Sequence, residues 1–311
     1  MMKTSERRSV LKVGLHGLAG LMAMPLLGGL AGCSRPAAKL PVVALGDRMA
    51  LIDGAPGNVI LLQTNEGVLL VDSGSAELAR SVQASLDGGR VHTLFNTHYH
   101  ADQTGGNVLF GEEGATIHAH EITRQWLATD FYVPAEDRWV PALAEAGRPT
   151  AVFRKTGDMT AGSESIEYGY LLEAHTRGDI YVFFRDSNVL AVGDVASPLR
   201  DPALDWFAGG WLGGRVDAMD DLLALADDAT KIVPAYGPVL TRAQLQAERD
   251  MMLHLYERTT ELTDKGRSAQ DMLDAGLMGE VDRRFEDPYR FLYDVSKGLW
   301  AHYTNFGGNI V

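Results

Sequence analysis

The chain of 311 residues contains a single cysteine, Cys33. One thiol excludes a disulfide framework and any zinc or iron–sulfur site built from several cysteines. Positive charge is also scarce: 28 Lys and Arg stand against 41 Asp and Glu, a formal charge of -13. That sign gives the body no electrostatic hold on nucleic acid or anionic lipid, so neither is an expected partner. No internal repeat, low-complexity linker or composition break divides the chain. The glycine and apolar content exclude collagen, coiled coil and wholesale disorder. What is left is an acidic globular body, read as one domain over 39–311, behind a distinctive N-terminus.

Residues 1–32 open with Lys3, Arg7, Arg8 and Lys12, then turn apolar and glycine-rich from Val13 to Gly32. A basic start, an apolar middle and a small-residue end form a secretory signal. Val13–Gly32 is long enough to span a bilayer. Its glycines and His16 make it a poor anchor, so removal is the expectation. The pair Arg7-Arg8 followed by Val10, Leu11 and Lys12 resembles the twin-arginine export pattern. Leu30-Ala31-Gly32-Cys33 is similar to a bacterial lipobox, in which the cysteine is lipidated and becomes the first residue. These resemblances imply export in the folded state, a periplasmic location and contact with a membrane only through lipidated Cys33.

The body reads as strands first and helices later. Asn58–Leu62 and Gly67–Val71 are β-rich runs joined by Asn65-Glu66-Gly67, which predicts a hairpin. Leu78, Val82 and Leu86 have helical spacing. Further strands are expected at Val91–Phe95, Ala115–Ala119, Ile166–Leu172, Ile180–Arg185 and Val189–Val192, and helices at Asp217–Ala226, Arg242–Thr263, Ala269–Ala275 and Pro288–Tyr303. The irregular stretch 130–148, with Phe131, Tyr132, Trp139 and two prolines, reads as an insertion or flap. The last helix, carrying Tyr289, Phe291, Tyr293 and Trp300, suits either packing on the core or a face between two copies, and the oligomeric state stays open.

Chemistry concentrates in Thr97-His98-Tyr99-His100-Ala101-Asp102-Gln103, directly after a strand. In an extended segment His98, His100 and Asp102 project from one side. His175, in Ala174-His175-Thr176-Arg177-Gly178-Asp179, and Asp194, after the apolar run 189–193, lie at two further strand ends. Three separated histidines with an acidic fourth residue fit a catalytic zinc site with one position open to water, which ionises there near pH ~7. His118 and His120 alternate along a strand and are expected to be structural, while Asp72 and Asp179 are placed to order the ligand loops. Trp206-Phe207-Ala208-Gly209-Gly210-Trp211-Leu212-Gly213-Gly214 suggests a mobile aromatic loop walling an apolar pocket, or a packed turn.

Asp72-Ser73-Gly74, His98-x-His100-x-Asp102, His175-Thr176-x-Gly178-Asp179, Gly193-Asp194 and Pro234-x-x-Gly237-Pro238 occur in that order, each where a strand gives way to a loop. This succession resembles the metallo-β-lactamase superfamily over roughly Pro41 to Pro238. The resemblance implies an α/β chain folded as a four-layer αββα sandwich, with a metal site at one edge and a small-molecule substrate. It further implies that His98, His100 and His175 bind a first metal, that Asp194 bridges toward a second, and that Asp102 ligates that metal or orients the attacking water.

Two positions depart from the pattern. Gln103 stands where the family has histidine after the aspartate, and Tyr236 where it has the late histidine. An amide is a weak neutral ligand, and a phenol ligates well only after losing a proton of pKa ~10. One zinc held tightly and a second held weakly or not at all is therefore expected, with Gln103 its candidate ligand and Tyr236 free to donate either to a developing oxyanion or in a plain structural hydrogen bond. The implied activity is metal-dependent hydrolysis of an ester, thioester, lactone or β-lactam. The alternatives are a mononuclear-iron oxidoreductase of the persulfide dioxygenase type and a non-catalytic binding descendant.

Overall fold

The run Val59-Ile60-Leu61-Leu62 is apolar on both sides of a strand, so it requires cover on both faces. A computed structural model, which describes residues 37–133 and 137–307, provides that cover. Cys33 and the export signal read over 1–32 lie outside the described residues. From Ala37 onward the chain forms one compact unit. Among the described residues, no helix is long and apolar enough to cross a membrane.

The first sheet begins with β1 (Val42–Ala44), β2 (Met49–Ile52), β3 (Val59–Thr64) and β4 (Gly67–Val71), successive antiparallel neighbours. After α1 (Ala79–Ala84), β5 (Val91–Phe95) adds in parallel to β4. Two short helices, α2 (Ala101–Thr104) and α3 (Asn107–Glu112), lead to β6 (Thr116–His120), then α4 (Glu121–Leu127). The hairpin of β7 (Phe131–Val133) and β8 (Arg138–Val140) stands apart as a two-stranded sheet, and β9 (Ala151–Phe153) completes the first sheet in the order β1-β2-β3-β4-β5-β6-β9.

The second sheet, in sequence order, contains β10 (Thr156–Ala161), β11 (Glu164–Tyr170), β12 (Ile180–Phe184), β13 (Val189–Gly193) and β14 (Lys231–Pro234). Its first four strands are antiparallel. The last pair is parallel, joined across α5 (Leu212–Leu225). The chain ends in α6 (Arg242–Asp264), α7 (Ala269–Asp274) and α8 (Pro288–Gly307).

Strand parity assigns each side chain to a layer. Ile60, Leu62, Leu69, Val71 and Phe95 meet Val182, Phe184, Val189 and Ala191 between the sheets. Their neighbours of opposite parity, Val59, Leu61, Val68 and Leu70, pack under Val82, Leu86 and Phe110 of the helical side. On the other sheet Tyr181, Phe183, Leu190 and Val192 pack under Val216, Met219, Leu255 and Leu292. The result is the expected αββα sandwich. Phe291, Leu292, Val295 and Leu299 are buried, so α8 packs on the core, while Tyr289, Trp300 and Tyr303 face outward.

The structure corrects the reading in several places. Helix α5 starts at Leu212 rather than Asp217, so Gly213 and Gly214 belong to its first turn. A Cβ at Gly214 would lie 2.3 Å from the Glu173 carbonyl oxygen. The glycines there permit close approach rather than motion. Strands β1, β2 and β7 to β10 and helices α2 to α4 were not expected; most are of three or four residues, too few for a period to show. The stretch 130–148 is an insertion as expected, and it carries the β7–β8 hairpin.

One buried cation ties α5 to the loop after β13. Arg215 is fully buried and donates to the carbonyls of Val195 at 2.9 Å, Ala203 at 2.8 Å and Asp194 at 2.6 Å, and to Ser197 Oγ at 2.7 Å. Replacing it removes the donor to the Asp194 and Val195 carbonyls and to Ser197, and one of the two donors to Ala203, at about 1 kcal/mol apiece. Arg215→Met is expected to lower stability by roughly 3 kcal/mol, read as a fall in the urea midpoint of the metal-free protein; an unchanged midpoint would contradict this account.

Candidate metal centre

The candidate ligands come from the ends of three strands that face one edge of the sandwich. After β5 the chain bends, and His98 is fully buried while His100, at the N-terminal boundary of α2, adopts extended angles (φ -61°, ψ 144°). His175 sits in the β11–β12 loop. Gly210 packs against it so tightly that a Cβ there would lie 2.0 Å from the His175 carbonyl oxygen. Asp194 follows Gly193, whose φ of +56° turns the chain out of β13 in a conformation that favours glycine.

One donor atom from each of these four residues lies within 4.8 Å of the others. His175 Nε2 is 3.1 Å from His100 Nδ1, and Asp194 Oδ2 is 3.6 Å from both His98 Nε2 and His175 Nε2. Four donors at ~2.1 Å around a tetrahedral ion stand about 3.4 Å apart, close to the separations observed. His98 Nε2 is buried with no hydrogen-bond partner, a deficit that an ion would fill. The residues therefore fit a divalent metal. The expectation of one extended face is corrected: the bend lets His98 present Nε2 and His100 present Nδ1, with Asp102 carried into α2.

Hydrogen bonds behind the rings aim the lone pairs. Thr97 donates its amide to Asp72 Oδ1 at 2.8 Å and its hydroxyl to Asp72 Oδ2 at 2.7 Å. The hydroxyl oxygen is then left to accept from His98 Nδ1 at 3.1 Å. His175 Nδ1 donates to the Ala203 carbonyl at 2.9 Å, and His100 Nε2 donates to Asp205 Oδ2 at 3.0 Å. Each ring proton is thus held on the far side, so the opposite nitrogens point together. Asp179 accepts from the Thr176 amide at 2.7 Å and hydroxyl at 2.8 Å, fixing the loop beside His175. Asp72 and Asp179 thus order the ligand loops as the sequence suggests.

Burial pushes the His98 imidazolium down to about 4 and, with the charges of His100 and His98 beside it, drives His175 well below its usual range. Both rings are neutral and ligand-ready near pH 7. Burial opposes the charge on His100, but Asp205 outweighs it and raises this pKa. Asp205, whose burial works the other way, is held at about 2 by His100 and by the Tyr99 hydroxyl, which donates to it.

The neighbouring position is differently furnished. The Tyr236 hydroxyl donates to Asp102 Oδ2, and burial together with that carboxylate raises its pKa. The phenol stays protonated and its proton goes to Asp102, the structural hydrogen bond that was one of the two roles open to it. Asp102 itself stands outside the four-donor cluster. Gln103 is fully buried with neither amide atom hydrogen-bonded, packed so close to Gly57 that a Cβ there would lie 2.6 Å from its Nε2. Arg200, which no sequence pattern singled out, places Nη2 3.0 Å from both Asp194 oxygens and its guanidinium 3.3 Å from the centre of the Tyr236 ring. Asp205 was missed for the same reason: both lie in irregular chain between β13 and α5. His118 packs on Phe95, and His120 accepts from the Ile122 amide and stacks on Tyr170 at 4.0 Å, so both histidines are structural.

A cavity of about 850 Å³ opens over His100, Asp102 and His175. Its walls include Phe131 and Val140 of the β7–β8 hairpin, and Trp206 and Phe207 of a 3-10 turn, so the aromatic segment does line a pocket.

Residues 52–236 match the metallo-beta-lactamase superfamily. Among curated proteins, the chain is 23% identical over 205 residues to metallo-beta-lactamase type 2 of Bacillus cereus, covering 64% of this chain and 74% of that one. It is 26% identical over 245 residues to 2,4-dinitroanisole O-demethylase subunit alpha of Nocardioides sp. (strain JS1661), covering 76% and 65%. Among solved structures, a metallo-beta-lactamase from Pontibacter korlensis superposes with a TM-score of 0.57 at 19% identity, over 69% of this chain and 99% of the other. The sec-alkylsulfatase Pisa1 from Pseudomonas sp. gives 0.62 at 17%, over 86% of this chain and 50% of the other, so the chain spans half of that protein's length. With the fold, the ordered motifs and the donor cluster all in agreement, the chain belongs to the metallo-beta-lactamase superfamily.

Proposed function

We propose that the chain is a hydrolase of ester-like bonds (ester, thioester, lactone or β-lactam) that works with one tightly held zinc ion. The observation that carries this reading is the convergence of three imidazole nitrogens and Asp194 in one cluster, two of whose histidines, His100 and His175, line a substrate-sized cavity. Zinc suits a set of imidazole and carboxylate donors, and hydrolysis asks for no redox change. An ion held there supplies a Lewis acid and brings the ionisation of water to near pH ~7.

The chain's own residues account for the rest. His98, His100 and His175 hold the ion, and Asp205 fixes the ring of His100 from behind. Asp102 lines the same cavity with one oxygen engaged by Tyr236, which places its carboxylate to orient the attacking water or take its proton. Arg200 supports a single tightly held ion, because its positive charge already lies on both oxygens of Asp194. Gln103 remains the candidate ligand for a second, weaker ion. The relatives' names cover β-lactam, aryl ether and sulfate ester substrates, which supports hydrolytic chemistry without selecting β-lactams. Residues 1–32 and Cys33 carry the accompanying proposal of export to the periplasm and a lipid tether.

Four outcomes test this reading. Elemental analysis of the body purified from residue 34 without chelator is expected to find about one zinc per chain, with turnover on a panel of 4-nitrophenyl esters, thioesters, lactones and nitrocefin. His100→Ala should lose both metal and turnover. Two tightly held ions, iron, or a zinc-loaded protein inert across the panel would each overturn part of the scheme. Asp205→Asn is expected to weaken zinc about 10- to 100-fold, measured by competition with a chromophoric chelator, while the fold survives. In cells, Cys33→Ser should move the protein from the membrane fraction to the soluble periplasm; an unchanged distribution would remove the tether.

A further inference from the structure

The 850 Å³ cavity is far larger than the metal centre at its floor requires, and its lining has a definite chemistry. Tyr99, Leu127 and Ala208 form a buried apolar cluster beside His100, extended by the partly buried Trp126, Phe131 and Leu143. The rings are in mutual contact: Trp126 stacks on Tyr99 at 4.9 Å and 18°, and meets Phe131 edge-on at 4.9 Å. Of the charged groups on the lining, Arg138 stands exposed on the β7–β8 hairpin, Asp102 accepts from Tyr236, and the others are held by close partners. Asp205 takes its hydrogen bonds from His100 and Tyr99, and Asp294 takes its own from Arg290 at 2.6 Å and Trp206 at 3.1 Å. A second cavity of about 530 Å³ lies beyond, and Trp126, Phe131, Trp206 and Phe207 line both. Of these four rings Phe207 is the exposed one, at 48%.

From this geometry we infer that the site takes an uncharged substrate bearing a bulky apolar group, alkyl of about eight carbons or aromatic of similar size, seated on the Tyr99–Trp126–Phe131 wall next to the metal ligands. Phe207, the exposed one of the four rings common to both cavities, limits how far that group extends toward the second. The inference rests on the hydrolase reading for what happens to the bond, and on the cavity alone for what is bound. Each methylene moved from water onto this wall contributes a factor of about two to four in affinity. Small or charged acyl groups leave the wall wet and gain nothing from it.

The test separates binding from turnover. Tryptophan emission of the zinc-loaded protein is titrated with unreactive n-alkyl amides from acetamide to decanamide, and the matching 4-nitrophenyl esters are assayed alongside. Affinity is expected to rise about two- to fourfold per carbon and to level off near eight. Leu143→Glu and Phe207→Glu, one on the wall and one at the exposed ring common to both cavities, should each flatten the ladder, and Phe207→Ala should move the plateau to longer chains. A ladder that is flat in the unaltered protein, or that persists in whichever charged variant keeps native circular dichroism and zinc content, overturns the inference. A ladder in binding with no ester hydrolysis leaves the cavity assignment standing and defeats the hydrolase reading; hydrolysis indifferent to chain length does the reverse.

Discussion

The hydrogen bonds that hold the ring protons of His98, His175 and His100 on Thr97, the Ala203 carbonyl and Asp205 leave three nitrogen lone pairs and a carboxylate oxygen facing one another across less than 5 Å. Without a cation, that arrangement is unfavourable, since lone pairs repel and His98 Nε2 has no protein donor. The surrounding structure therefore has to impose it. Thr97 is locked by Asp72 at the end of β4, and its carbonyl accepts from the Ile180 amide at the start of β12, so one short segment joins the two sheets at the site. Arg215 gathers the carbonyls of Asp194, Val195 and Ala203, which links the carboxylate ligand to the group behind His175.

Charge is arranged with the same economy. Asp194 faces Arg200, Arg200 covers Tyr236, and Tyr236 donates to Asp102. A guanidinium is planar and always charged; here one nitrogen, Nη2, reaches both carboxylate oxygens while the plane covers the Tyr236 ring face. The chain with glutamine and tyrosine at the two altered positions thus carries its own cation at the position next to the three-histidine centre. Arg200 joins Asp194 to Tyr236 in this arrangement, although only Gln103 and Tyr236 are visible as departures from a pattern.

Scaffold and specificity are divided between different parts of the chain. The sandwich supplies donors from strand ends, where backbone hydrogen bonding fixes position. The walls of the cavity come from the β7–β8 insertion, a 3-10 turn and α8, elements held by side-chain packing. Such walls can change without disturbing the ligands, which is how one fold serves many reactions.

Through its ordered motifs the sequence by itself implied the layer architecture, and it marked candidate ligands, of which His98, His100, His175 and Asp194 come together and Asp102 stands outside. Apolar runs covered on both faces, alternating parity and a succession of strand-ending motifs are local properties, and His98, His100, His175 and Asp194 are marked by residue type and order. Tertiary structure alone decided which imidazole nitrogen faces the centre, because the bend after β5 and the partners behind each ring lie far away in the chain. It decided the direction of the Tyr236 proton, since Asp102 is 134 residues distant. It also decided the roles of Arg200 and Asp205. Both sit in irregular chain with no periodicity, and a guanidinium or carboxylate acquires meaning only from what folding brings within 3 Å of it.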